Sequence, residues 1–271
     1  MSRAAERDRA RAARELREAE ERDAAQRRRR LRLLSGAAAC VAVVVAVVIA
    51  FGAFKGDPTD GSPRVDVDGT GVKGATETAA LVRGLPQHDE TLGRADAPAT
   101  ILEIADLKCP GCQAHEVQAQ QEIVDRLVRT GKANLQMQLV NFRDAPAGTT
   151  DGEGARRAAY NLAASGRFWN FVHATYWNQG SEQTAWATPD LLRKVAAAAP
   201  GIEPGQVETR ETPASRTAIA NAERIARALK VTETPSLYVL ARGARTGVRV
   251  GNPDDVDAIA AAVAKATADG R

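Results

Sequence analysis

The run Cys109-Pro110-Gly111-Cys112 carries two thiols three positions apart. On a helix that spacing stacks the two sulfurs one turn apart on one face, within reach of a disulfide. A cysteine attacks another sulfur as the thiolate. Its ordinary pKa of about 8.5 falls to about 3.5–7.5 where a CxxC motif opens a helix, because unpaired backbone N–H groups and the helix dipole favour the anion. Pro110 suits the first helical position, since it has no N–H to leave unpaired. Cys109 therefore reads as the attacking sulfur and Cys112 as the thiol that resolves a mixed disulfide. Lys108, next to Cys109, is expected to add to the stabilisation of the thiolate.

Other uses of a CxxC pair fit less well. Zinc requires two further ligands, and the chain offers Cys40 in an apolar run and three scattered histidines, His88, His115 and His173. A permanent disulfide across so short a loop would remove little chain entropy. Three cysteines are also too few for a disulfide-stapled scaffold. No nucleotide or flavin motif is present, so no cofactor is expected. His115 is read as a surface residue of the helix.

The elements around the motif follow from periodicity. Residues 100–105 form a short apolar run, read as a buried strand that delivers Cys109 to a helix over 113–128, stopped at Gly131. Leu135, Met137 and Leu139 alternate with polar residues in a second strand. A helical block follows over 155–164, 168–177, 188–199 and 217–229, with Thr188 and Pro189 as a helix start. Residues 236–240 and 246–250 suggest a strand pair, and 253–267 a last helix. The expectation is an α/β layer with a helical insertion.

Upstream the composition changes. Residues 1–32 alternate Arg with Glu and Asp on an alanine background, as in a solvated helix without an apolar stripe. The formal charge of +3 is concentrated there and does not form a basic face on a folded domain, so nucleic-acid binding gains no support. Residues 33–54 carry no charge and, as a helix, would reach roughly 33 Å, the thickness of the bilayer's hydrocarbon core. Arginines at 27–30 and 32 precede this run, whereas Asp57 and Asp60 follow it. The positive-inside rule then predicts a single-pass anchor, a cytoplasmic N-terminus and an external C-terminal domain. Residues 55–83, rich in Gly, Asp, Thr and Pro, read as a linker, with the folded unit over 84–271.

Three stretches, GLPQHDETLGRADAPATILEIADLKCPGC, FWNFVHATYWNQGSEQTAW and ARALKVTETPSLYVL, resemble the membrane-anchored, DsbA-like thiol-disulfide oxidoreductases of the thioredoxin superfamily. The resemblance covers about two-thirds of the chain and implies a thioredoxin-like fold. It further implies that Pro235 is a cis-proline facing the active-site cysteines, and that Thr234 offers backbone hydrogen bonds to an extended substrate. It places Glu103, six residues before Cys109, as a buried acid assisting proton transfer at Cys112. Asp106, nearer the strand end, is the other candidate for that role, or else a loop residue. A quinone-linked membrane oxidase is implied as electron acceptor, and secreted or membrane proteins as substrates. Two departures stand out: the motif interior is Pro-Gly and not the Pro-His of strongly oxidising relatives, and Glu233 stands where many relatives carry glycine. Oxidation is favoured over reduction or isomerisation, and a redox-inactive binding module is the alternative of another class.

Overall fold

The computed structural model describes residues 71–244 and 246–269. The charged segment 1–32 and the apolar run 33–54 lie outside them. Among the described residues, no helix is long and apolar enough to cross a membrane.

Two short strands, β1 (Gln87–His88) and β2 (Thr91–Leu92), form a hairpin on the edge of a six-stranded sheet. The strand β3 (Ala99–Ala105) lies at its centre, parallel to β4 (Asn134–Leu139) and antiparallel to β5 (Ser236–Ala241). The last strand, β6 (Val248–Arg249), borders β5, so the order is β1-β2-β4-β3-β5-β6.

Side chains alternate across β3, as a pleated strand requires. Ala99, Ile101 and Ala105 join the main core, while Leu102 and Ile104 pack on the opposite face with Val140, Ala226 and Tyr238. Glu103 shares the parity of the first set and is fully buried. This parity directs its carboxyl toward the helices that carry the CPGC motif.

After β3 the chain enters α2 (Pro110–Gln118) and a short α3 (Gln120–Ile123), then a wide π-type turn over Val124–Val128. The continuous helix expected over 113–128 is thus broken at Ala119, whose φ of −107° departs from helical geometry. The break turns the buried Gln120 amide inward onto Glu103 and Glu116, an arrangement that apolar periodicity does not encode.

The insertion between β4 and β5 contains α4 (Asp144–Ala147), α5 (Asp151–Asn161), α6 (Phe168–Trp177), α7 (Pro189–Ala198) and α8 (Pro213–Ala228). Helix α6 is buried almost all round and supplies Phe168, Trp169, Phe171 and Tyr176 to the core. Helix α5 starts four residues earlier than periodicity predicts. Its first N–H groups, on Gly152 and Glu153, donate to the Asp144 carboxylate at 3.2 and 3.0 Å, a cap supplied from a neighbouring helix. Helix α8 starts at Pro213 behind a Thr212–Ser215 capping box, and α9 (Val256–Asp269) closes the fold.

The stretch 71–83, expected to continue the linker, instead joins the folded unit. It forms the helix Ala75–Val82, here α1, with Leu81 fully buried and the Thr78 hydroxyl 2.9 Å from His173 Nδ1. Its apolar residues, mostly alanine, cluster at its C-terminal end and not at helical spacing; packing on α6 stabilises it. The strand expected over 246–250 shortens to two residues.

Candidate active site

Cys109 occupies the N-cap of α2 in extended conformation (φ −79°, ψ 121°), with Pro110 at the first helical position. Its Sγ lies 3.2 Å from the Thr234 carbonyl and 3.5 Å from a guanidinium nitrogen of Arg143. The residue is 1% exposed. A hydrogen bond from the Cys112 thiol brings Cys109 down to about 4, against the cost of burial, with further help from the Thr234 side chain, the Cys112 N–H and Arg143. The Thr234 hydroxyl has no other partner, so it can turn to the ionised sulfur.

Cys112 behaves in the opposite way. It is fully buried one turn along. Burial raises its thiol well above the ordinary value, and the hydrogen bond to Cys109, with the negative charges of Cys109 and Glu103, pushes in the same direction. The Asp106 N–H, 3.4 Å from its sulfur, opposes this. The two thiols of one short motif are thereby separated in acidity, one poised to attack and one to hold its proton.

The Thr234–Pro235 peptide is cis. A Cβ added at Gly111 would lie 3.4 Å from Pro235 Cδ and 3.7 Å from Cys109 Sγ, so the motif interior sits directly under the proline loop. The Glu233 side chain is exposed, and its carboxylate pairs with Arg249.

Glu103 stands beneath the motif, with Gln120 Nε2 donating to its Oε2 at 3.0 Å. Burial raises its carboxyl, and the nearby His115 only partly offsets this. Asp106, the other candidate acid, is a loop organiser. Its carboxylate accepts N–H groups from Lys108 (2.8 Å), Phe142 (2.6 Å) and Arg143 (3.1 Å), and so sets the turn that brings Arg143 over Cys109.

Two expectations are corrected. Lys108 does not face Cys109: its ammonium is fully buried on the other side of the chain, 2.7 Å from Asp151, 3.1 Å from Asp144 and 2.6 Å from the Thr149 hydroxyl. Adjacent residues leave an extended backbone on opposite sides, so the cation that meets the thiolate comes from residue 143. His115 is not on the surface; it is fully buried, with Nδ1 2.8 Å from the Asp254 carboxylate. Of the other histidines, His173 is buried against Thr78 and lowered by burial to about 4, and His88 is exposed on β1.

Arg143 and Asp254 carry no local motif and escape sequence reading, and Gln179, though inside the stretch 168–186, is not singled out by its spacing. Gln179 Nε2 donates to the carbonyls of Leu107 and Cys109 at 2.8 and 3.1 Å, tying the motif to the end of α6.

Comparison with known proteins places this geometry. The sequence profile of a family described as Thioredoxin matches residues 87–263. The chain belongs to this thioredoxin family. A probable disulfide bond formation protein D of Bacillus cereus is 31% identical over 110 residues, covering 39% of the chain and 48% of that protein. The disulfide bond formation protein D of Bacillus subtilis is 27% identical over 168 residues, covering 58% of the chain and 68% of that protein. The match to the Bacillus cereus relative thus spans about half of its length.

Among solved structures, oxidised BdbD from Bacillus subtilis superposes with a TM-score of 0.57 at 22% identity, over 69% of the chain and 98% of BdbD. The alpha-DsbA1 of Wolbachia pipientis does so with a TM-score of 0.53 at 17% identity, over 70% of the chain and 97% of that protein. These likenesses establish the thioredoxin-like fold with its helical insertion.

Proposed function

We propose that the chain is an extracytoplasmic thiol-disulfide oxidoreductase that introduces disulfides into secreted or membrane proteins through Cys109 and Cys112. The observation that carries this reading is the split in acidity between the two sulfurs. Cys109, at a helix start and facing the cis-proline loop, is lowered to about 4, whereas Cys112 is raised. The names of the Bacillus relatives support the same class of activity.

In the oxidative direction a substrate thiolate attacks Cys109 Sγ of the enzyme disulfide. The Cys109–Cys112 bond breaks, and its electron pair leaves on Cys112. A second substrate thiolate then attacks the substrate sulfur of the mixed disulfide, releasing Cys109 as thiolate. The substrate gives up two electrons and the enzyme gains them, keeping one proton on Cys112. Stabilising the Cys109 thiolate favours the reduced enzyme and makes its disulfide the better electron acceptor. Thr234 and Pro235 would align the substrate as an added strand. A quinone-linked membrane oxidase would return the enzyme to its disulfide, and residues 33–54 would anchor it with the N-terminus in the cytoplasm.

Equilibration of the full-length protein with glutathione tests the direction. The expected potential lies between about −270 and −120 mV, nearer the oxidising end. Reduced unfolded test protein should then be oxidised faster than a disulfide-bonded one is reduced, and Cys109→Ser should abolish both. A potential at or below about −270 mV would replace this reading with a reductase. Reporter fusions after Arg271 test the topology: activity of an exported reporter is expected, and activity of a cytosolic one would overturn it.

A further inference from the structure

Behind Cys112 lies a group of buried polar side chains larger than thiol exchange at Cys109 requires. Glu103, His115 and Gln120 are fully buried and Glu116 is 1% exposed. Gln120 Nε2 bridges Glu103 Oε2 and Glu116 Oε1 at 3.0 and 2.9 Å. Glu103 Oε1, His115 Nε2, Glu116 Oε2 and the Tyr176 hydroxyl are all buried without a hydrogen-bond partner. Buried polar atoms are nearly always paired, so a group of loose ends in one protein region calls for an explanation.

Cys112 cannot exchange a proton with solvent directly, because it is fully buried. Yet it must take one up when its disulfide opens and lose it when the disulfide re-forms. His115 alone among these groups touches an acid that reaches water. Its Nδ1 is 2.8 Å from Asp254, whose side chain is 51% exposed, and its Nε2 is 3.9 Å from Glu103 Oε2.

We infer that His115 and Asp254 form a proton relay between solvent and the buried Glu103–Cys112 pair. This inference deepens the oxidoreductase reading and rests on it. Imidazole suits the task, since it accepts a proton on one nitrogen and yields one from the other. His115 Nε2 lies 3.9 Å from Glu103 Oε2, a separation that a small side-chain movement closes, and both His115 Nε2 and Glu103 Oε1 are without a hydrogen-bond partner.

The other groups facing the cluster do not lead out. Gln120 does not titrate. Glu116 on α2 and Tyr176 on α6 are themselves buried, and burial raises both. His173 on α6 is lowered to about 4 by burial, which keeps it neutral. His115 differs: burial would lower it, but the carboxyls of Glu103 and Asp254 outweigh that and raise it.

The step balances. When Cys112 leaves with the electron pair of the broken S–S bond, it takes one proton from Glu103; His115 replaces that proton and is refilled through Asp254 from water. On reoxidation Cys112 returns a proton along the same route as its sulfur attacks the Cys109–partner disulfide. The partner sulfur then leaves with the electron pair of the bond that breaks. His115 and Asp254 act through Glu103, so they are positioning residues.

The test uses the full-length protein carrying glutathione on Cys109 as a mixed disulfide, and measures glutathione release, which reports attack by Cys112, between pH 5 and 9. Asp254→Asn keeps a hydrogen-bond acceptor but no charge, at a half-exposed position that does not threaten folding. It should slow release by about tenfold near neutral pH and move the pH profile, with a larger effect for His115→Phe. Asp254→Glu should restore the wild-type profile. Alkylation of Cys109 should be unchanged in all three.

An unchanged release profile in Asp254→Asn overturns the relay, whether or not His115→Phe folds. Failure of the underlying oxidoreductase reading would look different: the wild type itself would release no glutathione, and Cys109 would alkylate with a midpoint near about 8.5.

Discussion

Two buried charge clusters flank the CPGC motif, and they are built on opposite principles. On one side Lys108 donates to Asp144, Asp151 and Thr149, using all three ammonium protons. Asp144 in turn accepts from Asn141, Thr149 and the N–H groups of Gly152 and Glu153. No atom of Lys108, Asp144 or Asp151 is left buried without a partner. On the other side Glu103, Glu116, His115 and Gln120 leave one atom each unpartnered. The complete network fixes architecture by pinning the turn before Cys109 to the insertion. The incomplete one keeps capacity in reserve, as proton handling demands. Burial of charge alone therefore does not separate the two clusters; the state of their hydrogen bonding does.

Removing one partner from the complete network should have the largest effect. Lys108→Met leaves Asp144 and Asp151 facing each other without their cation, and a broken buried ion pair costs about 3–5 kcal/mol. Urea unfolding should register that loss, while Glu103→Gln should cost far less because His115 keeps Asp254 as its partner. Comparable losses in the two variants would show that both clusters are structural.

Gly152→Ala probes the same network through packing. An added Cβ would meet Lys108 Cδ at 2.9 Å and the two Asp144 carboxylate oxygens at 3.0 and 3.1 Å. The ammonium would have to move off its acceptors, at about 1–3 kcal/mol. Thermal unfolding checks this; a variant as stable as wild type would mean that the Lys108 site has room to give.

The two networks also explain what could be read in advance. The motif, its helix start, the strands 100–105 and 135–139 and most of the insertion follow from spacing and periodicity, because those signals are local. Glu103 and Asp106 could be nominated from their distance to Cys109, but only the third dimension separates a buried acid from a turn organiser. The destination of Lys108 depends on residues 36 and 43 positions away, and that of His115 on one 139 positions away. Pairings of that range leave no periodic trace. Helix α1 escapes sequence reading for the related reason that its stability comes from α6.

Acid–base behaviour should separate the clusters by sign. Burial would raise the Asp144 carboxyl, but hydrogen bonds from Asn141, Thr149, Lys108 and the Gly152 N–H bring it down to about 2. A folded-state pKa below the unfolded one contributes stability above about pH 4 that is lost as pH falls toward 2. Glu116 is raised by burial and by the Glu103 charge, so the folded protein keeps a proton that the unfolded chain releases above about pH 4.3. Stability then declines as pH rises through that window, by up to about 1.4 kcal/mol per pH unit per group. With the two cysteines held as a disulfide, so that thiol titration drops out, Glu116→Gln should flatten the decline and Asp144→Asn the acid-side loss. A slope unchanged in Glu116→Gln would mean that this carboxyl titrates normally in the fold.

The smallest expected effect tests where the cation at the nucleophile comes from. Arg143 reaches Cys109 at 3.5 Å, a long contact, and its side chain is 37% exposed and shared with Glu182. An exposed ion pair contributes about 0.2–1 kcal/mol, which corresponds to less than about one pH unit in the sulfur's titration. Arg143→Met should therefore raise the alkylation midpoint of Cys109 from about 4 by that small amount, with Cys109 still the reactive thiol. Lys108→Met, read at a urea concentration where the variant stays folded, should leave the midpoint in place, since the Lys108 ammonium lies with Asp144 and Asp151 and not at the sulfur. If Lys108→Met shifts the midpoint more than Arg143→Met, the division into an architectural cluster and a reactive one fails at the residue next to the nucleophile. The hydrogen bond from the Cys112 thiol and the helix start would remain the main sources of Cys109 acidity in either case, because neither substitution touches them.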